Sequence, residues 1–374
     1  MTTFITKLDG EGTGPRLAVK DLIDVAGVPT TAGSRAVERT AKPAAADAPC
    51  LAGARAADAR IVGKANLHEL AMLPIGTNPW FGSPVNPLDA TLIPGGSSSG
   101  SAVAVANDDA DVAFGSDTGG SVRIPSACCG TAGLKTTHGR ISLEGVWPLA
   151  PSFDTIGPMA RDIAGVADGM ALLEPGFQVA NASATVIGRV RTDSEPAIET
   201  AVDAALAAAG FEIHEIAWED IAAGADQWTT VYFEEIMQVD GELAEANPDA
   251  IGEDLKAMLA MGPMFAVDVA GARAALNAWR SSFGRIFDRV ELLALPTMPI
   301  MPPRVDAITP DSMVAMIMDI TRHVLAFSGA GTPATAQPVP MKGSRIPASL
   351  QLAGPLNSEE LLLATAARVE AAVA

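Results

Sequence analysis

The stretch that most constrains this chain is residues 94–140, PGGSSSGSAVAVANDDADVAFGSDTGGSVRIPSACCGTAGLKTTHGR. It is dense in glycine and serine, yet it holds the apolar runs 102–106 and 112–114, which a flexible linker would lack. Small residues between buried segments bring backbone close to something small and aim hydroxyls at it. Ser97 and Ser121 each follow a glycine pair, Gly95-Gly96 and Gly119-Gly120. A glycine pair permits backbone angles closed to other residues and leaves amides free to face a ligand oxygen. A serine beside such a nest is what acyl transfer needs, a nucleophilic hydroxyl next to N–H donors. One such triplet alone reads as a glycine-rich surface loop. Two triplets, with a lysine-bearing apolar segment upstream at 17–23, favour a site.

Around this stretch the apolar pattern alternates between short strands and helices. Residues 16–19 read as a buried strand that delivers Lys20 at its end, and 44–60 as alanine-rich helix before a strand at 60–64. A helical turn or two is expected at 66–73, a helix at 99–107 and a buried strand at 112–115. Helix 161–173, strand 184–190, helix 195–209 and strand 211–217 follow. The later half reads as helix over 220–240 and 252–289, strand 291–295, helix 313–327, strand 349–352 and a closing helix 357–374. Four prolines in PTMPIMPP (296–303) exclude helix there. Such alternation favours a sheet with helices on both faces, and no linker, charge run or repeat divides the chain. The expectation is an α/β fold in a single domain, 1–374.

Composition narrows the partners. A formal net charge of −19 argues against a nucleic-acid backbone as partner. No uncharged apolar run approaches the ~18 residues that span a bilayer. The opening MTTFITKLDGEGTG lacks the basic and apolar regions of a signal peptide, so a cytoplasmic protein with no membrane partner is expected. Cys50 and the adjacent Cys128-Cys129 make no disulfide framework. The histidines at 68, 138, 214 and 323 show no metal-ligand spacing, so neither metal nor cofactor is expected.

The ordered motifs resemble the signature region of the amidase signature family of serine hydrolases. That family reads roughly GGSSGGS, then GTDxGGSIRxPA, then CGxxGLKPTxGR. Here stand GGSSSGS, GSDTGGSVRIPSACCG and GLKTTHGR. The likeness runs from 17 to about 173, through IVGKANLHELAM, NPWFGSPVNP and SFDTIGPMARD, is weaker over 174–374, and returns at PASLQLAGP (347–355). The resemblance implies a large mixed twisted central sheet between helical layers, and a Ser-Ser-Lys triad. Ser121 is then the acylated nucleophile, Ser97 the bridging serine on a cis Gly96–Ser97 peptide, and Lys20 the base. The oxyanion hole comes from the N–H groups of Thr118, Gly119, Gly120 and Ser121. Lysine titrates near ~10.4 in water, so Lys20 must be buried to serve as a base. Asp117 and Arg123, at the motif's acidic and basic positions, read as a structural tie, and the cysteines as packing.

Three departures stand out. Ser99 replaces a common glycine, Thr136 replaces the usual proline, and only 19 residues precede Lys20, where most members carry a helical segment. That last departure leaves the oligomeric state open, a homodimer included. Rival readings also exist. Gly96-Ser97-Ser98-Ser99-Gly100 satisfies the nucleophile elbow of α/β-hydrolases, with Ser98 as nucleophile and His323 in its triad, but Pro87 and Pro94 break the strand that motif requires. The glutaminase subunit of a tRNA-dependent amidotransferase carries the same signature, whereas a binding protein derived from a dead amidase would not keep all three catalytic positions. The pocket is expected from Met72, Leu73, Ile75, Trp80, Phe81 and Trp147, with Met313, Met316 or Met318 from the later half. Such a wall suits a small neutral, apolar or aryl amide as the substrate.

Overall fold

The computed structural model describes residues 2–374. Eleven strands form one sheet: β1 (Phe4–Lys7), β2 (Arg16–Lys20), β3 (Arg60–Ala65), β4 (Val112–Ser116), β5 (Ala132–Lys135), β6 (Ile156–Ala160), β7 (Val186–Arg191), β8 (Glu212–Ala217), β9 (Leu292–Pro296), β10 (Ala334–Val339) and β11 (Ala348–Ala353). Their spatial order is β1-β3-β2-β4-β6-β5-β10-β11-β9-β7-β8. Strand β2 runs parallel to β3 and β4, and β7 runs parallel to β8 and β9; the remaining pairs are antiparallel. The mixed α/β sheet expected from the sequence is present, and it passes without a break from the signature region into the later half.

Twelve helices accompany it: α1 (Arg35–Glu38), α2 (Ala52–Ala56), α3 (Ser99–Ala106), α4 (Arg123–Cys129), α5 (Ile163–Leu173), α6 (Pro196–Ala209), α7 (Glu219–Ala246), α8 (Glu253–Phe265), α9 (Val269–Gly284), α10 (Met313–Thr321), α11 (Leu325–Ala330) and α12 (Glu359–Val373). Successive strand residues point to opposite faces, and the core divides accordingly. Leu17 and Val19 of β2, with Val112 and Phe114 of β4, join Val166 and Met170 of α5. Ala18, Ala113 and Met159 join Val103 and Val105 of α3 on the other face. Small residues on that second face let α3 lie close to the sheet, which brings the serine-rich turn before it to the strand ends.

Several expected helices are shorter or divided. The 44–60 segment holds only a 3₁₀ turn, Pro49–Leu51, and α2. The long helix expected over 252–289 breaks between α8 and α9, where Asp268 takes a left-handed conformation and caps Gly271. The helix expected over 313–327 divides into α10 and α11. Strands β1, β5, β6 and β10 and helix α4 were not legible. Strand β6 (IGPMA) contains Pro158, a residue disfavoured inside sheets. It is accommodated because β5 pairs only with Met159 and Ala160, leaving no ladder partner on that side at Pro158. Among the described residues no single helix is long and apolar enough to cross a membrane.

Strands β2 and β3 are tied at their ends by a buried ion pair. Lys64 Nζ lies 2.9 Å from Asp21 Oδ1 and donates to Thr30 Oγ1 at 2.9 Å, with both charged side chains fully buried. Removing one partner of such a pair leaves an uncompensated buried charge. Lys64→Met is therefore expected to lower the unfolding free energy by about 3–5 kcal/mol in urea titrations.

Candidate active site

Strands β2 and β4 are parallel neighbours, with Val19 opposite Phe114, so their C-terminal ends open side by side. Open sheets bind ligands outside the C-terminal ends of parallel strands. Lys20 closes β2 and Ser116 closes β4, and the serine turns before α3 and α4 meet above them. Lys20 Nζ lies 2.7 Å from Ser97 Oγ and 2.8 Å from Ser116 Oγ, with the ammonium fully buried. Burial pulls the Lys20 pKa down to about 7, against the opposing charges of Asp117 and Asp154. The Gly96–Ser97 peptide is cis, as the resemblance implies. Ser97 is further fixed through its carbonyl, which accepts from the N–H of His68 at 3.0 Å. The two serine turns join where Ser98 N–H donates to the Ser121 carbonyl at 3.1 Å.

Asp117 organises the loop around Ser121. Its carboxylate accepts from the N–H groups of Gly120 (2.8 Å), Val122 (3.2 Å) and Arg123 (3.3 Å). It also takes a two-pronged pair from Arg123 Nε and Nη2, both at 2.9 Å. Burial alone would raise the Asp117 pKa, but the Arg123 charge and hydrogen bond, with Lys135 and the Gly120 N–H, outweigh it and hold it at about 2. The tie expected between these residues is thus in place.

Of the four N–H groups expected to form an oxyanion hole, that of Gly120 is committed to Asp117. Among the described residues the N–H groups of Thr118, Gly119 and Ser121 have no protein acceptor, so these three remain available. Gly120 itself has φ +112, a conformation only glycine adopts readily, and that turn presents the Ser121 hydroxyl. Behind it, Thr118 Oγ1 donates to Asp154 Oδ1 at 2.6 Å.

Ser121 opens onto a cavity of about 650 Å³. Met72, Leu73, Gly119 and Leu149 form the near wall, and Trp228, Tyr232 and Phe233 of α7, with Met258, Met261 and Phe265 of α8, form the far one. Trp218, Ile317, Met318, Arg322 and Leu325 close a third side. Of the residues expected to shape the pocket, Met72, Leu73 and Met318 are there; Ile75, Trp80, Phe81, Trp147, Met313 and Met316 lie outside the lining. The N–H groups of Trp80 and Phe81 are turned to Asn78 Oδ1, and Trp147 Nε1 donates to buried Asp240 at 3.3 Å. The residues that sequence reasoning missed, the α7 and α8 wall above all, look like ordinary core positions in an amphipathic helix. Ser116 was missed as well, although it precedes Asp117 directly in the motif.

The Ser98 hydroxyl donates to the Ser116 carbonyl at 3.2 Å, and Ser98 does not line the cavity. His323 is buried against Trp218, hydrogen-bonds the Pro296 carbonyl, and is pushed down to about 3 by burial. Neither residue is arranged as the elbow reading requires. The three cysteines are free and buried, and burial raises each thiol, so all three are packing groups. No cluster of three metal-ligating side chains occurs among the described residues.

The family model described as Amidase matches residues 13–363. The chain belongs to the amidase family. It is 31% identical to a glutamyl-tRNA(Gln) amidotransferase subunit of Halobacterium salinarum, covering 99% of this chain and 98% of that one. It is 32% identical to a 2-amino-5-chloromuconic acid deaminase of Comamonas testosteroni, over 98% of this chain and 84% of that one. A crystal structure of an amidase superposes with a TM-score of 0.86 at 28% identity, covering 96% of this chain and 85% of that chain. In this amidase family member Gly119 is in close quarters. A Cβ on Gly119 would meet the Trp228 ring edge at 2.8 Å. Gly119→Ala should therefore displace the indole, changing tryptophan emission and costing about 1–3 kcal/mol in unfolding titrations.

Proposed function

We propose that the chain hydrolyses the C–N bond of a small carboxamide through an acyl-Ser121 intermediate, giving a carboxylate and ammonia or an amine. The observation that carries this reading is the fully buried Lys20 bonded to Ser97, within the serine turns that present Ser121 to the cavity. Neutral Lys20 takes a proton from Ser97, which takes one from Ser121 as the Ser121 Oγ adds to the substrate carbonyl. The N–H groups of Thr118, Gly119 and Ser121 receive the developing oxyanion. The proton returns through Ser97 to the departing nitrogen as the C–N bond breaks. Water then adds to the acyl-enzyme by the same relay, releasing the acid and restoring Ser121. Ser116 acts on the lysine. By taking one N–H of the neutral amine, it leaves the lone pair for the Ser97 side.

The aromatic and methionine walls suit an apolar or aryl body on the substrate. The full-length likeness to a glutamyl-tRNA(Gln) amidotransferase subunit supports a second reading, glutamine as the amide, in company with partner subunits. A panel of aliphatic, aryl, urea-type, malonamate and glutamine amides separates the two, since a wide margin for glutamine would favour the second.

An organophosphonate should label Ser121, and Ser121→Ala should lose both labelling and turnover. Labelling at Ser98 instead would overturn the assignment. The rate should depend on Lys20 being neutral. It is therefore expected to rise with pH through about 7, where the ammonium gives up its proton, and to level off above. Lys20→Ala should lose that inflection together with most of the rate while the chain still folds.

A further inference from the structure

We infer that Arg322 is a specificity residue, and that the preferred substrate is an amide whose apolar or aryl body carries a carboxylate away from the scissile bond. This deepens the acyl-Ser121 reading and rests on it. Among the described residues Arg322 is the one cationic side chain on the cavity wall that also holds Ser121 and Gly119. It sits in the turn between α10 and α11, and the backbone on either side of it is pinned. Thr321 Oγ1 donates to the Ile317 carbonyl at 2.8 Å, and the ring of His323 bonds the Pro296 carbonyl at 3.0 Å while packing on Trp218.

The guanidinium is only partly committed. Its Nη2 donates to the Asp193 carbonyl at 2.6 Å, and its Nε is buried without a partner. Among the described residues no carboxylate lies within ion-pair distance of it, in a chain with 44 acidic and 25 basic side chains. Arg123, Arg140, Arg189 and Arg273 each hold at least one carboxylate. A neutral apolar substrate would close the cavity around a guanidinium that still lacks acceptors, with Trp218, Ile317 and Leu325 on the same side. Unpaired buried donors and charge disfavour that complex. A substrate carboxylate reaching Nη1 would instead form a charge-assisted hydrogen bond.

Three carboxylates, Glu219, Asp226 and Asp319, also line this cavity, and they oppose an anion. All three are exposed, whereas Arg322 is half-buried. A charge acting through water is roughly four times weaker than one at a partly buried site, and salt screens it further. The guanidinium therefore sets the preference inside the cavity, and the rim carboxylates reduce its size without reversing it.

The test uses a matched pair of arylalkyl carboxamides, one ending in a carboxylate and the other in its methyl ester, with initial rates read as ammonia released from the carboxamide and ester loss followed separately. The quantity read is the ratio of kcat/KM for the acid over the ester. Wild type should favour the acid by about tenfold or more, mainly through KM. Arg322→Ala should lower that ratio by about 10-fold to 100-fold, the usual range for losing one hydrogen bond to a charged group. Arg322→Lys, which keeps the charge, should restore part of it. A wild-type ratio at or below one, or a ratio unchanged in Arg322→Ala, overturns the inference while leaving the amidase reading intact. No turnover of either amide by wild type, with Ser121 unlabelled by an organophosphonate, overturns both.

Discussion

The pair of Asp117 and Arg123 is the interaction on which the rest of this site depends. All five N–H donors of the guanidinium are used. Two go to Asp117, and the others reach the Val324 carbonyl (3.1 Å), Gln351 Oε1 (2.8 Å) and Ser328 Oγ (2.8 Å). A buried ion pair is weak evidence for stability, since desolvation of both charges opposes it. Its value here is geometric. It fixes the loop that presents Ser121, and it joins that loop to α11 and β11, which are some two hundred residues further along the chain.

The same fixation decides which amides are available at the site. Asp117 consumes the N–H groups of Gly120, Val122 and Arg123, while those of Thr118, Gly119 and Ser121 have no protein acceptor, and Gly119 and Ser121 line the cavity. Lys20 completes the arrangement from below. Its ammonium gives up water for two serine hydroxyls, and a cation so poorly compensated releases its proton near neutrality. Lys135 makes a useful contrast. It too is fully buried and drawn down to about 7, by burial and by the Arg123 charge, but it donates to the carbonyls of Thr136 and Thr332. Burial lowers both lysines, and only Lys20 has serine hydroxyls as its partners.

The cavity is built by a different part of the chain from the chemistry. Helix α7 supplies Trp228 and Tyr232, stacked at 4.5 Å, and the Tyr232 hydroxyl donates to the Met72 carbonyl at 2.9 Å. Glu235 of the same helix holds both the N–H and the hydroxyl of Ser152, and Asp240 holds Trp147. These bonds lock α7 onto the loop that carries Asp154, and Asp154 in turn holds Thr118. The cavity wall and the loop that carries Thr118 and Ser121 are therefore one connected structure.

The sequence by itself determined the chemistry-bearing core. Glycine pairs before Ser97 and Ser121, an apolar strand ending in Lys20 and the Asp117–Arg123 spacing are local features, and local backbone geometry follows from them. The mixed sheet and the cis Gly96–Ser97 peptide were legible only through the family resemblance, and the structure agrees with both. Tertiary structure alone decided the rest. The Gly120 N–H could not be known to be committed until the Asp117 carboxylate was placed. Trp80, Phe81 and Trp147 lie near Met72 or Leu149 in sequence, yet none lines the cavity, and the Trp147 indole turns to Asp240 instead. Their places on the wall are taken by Trp228, Tyr232 and Arg322, which lie between one hundred and two hundred and twenty residues or so from Ser97 or Ser121. Local pattern marks a residue as apolar or charged, but which cavity it lines depends on how distant helices pack, and no local signal encodes that.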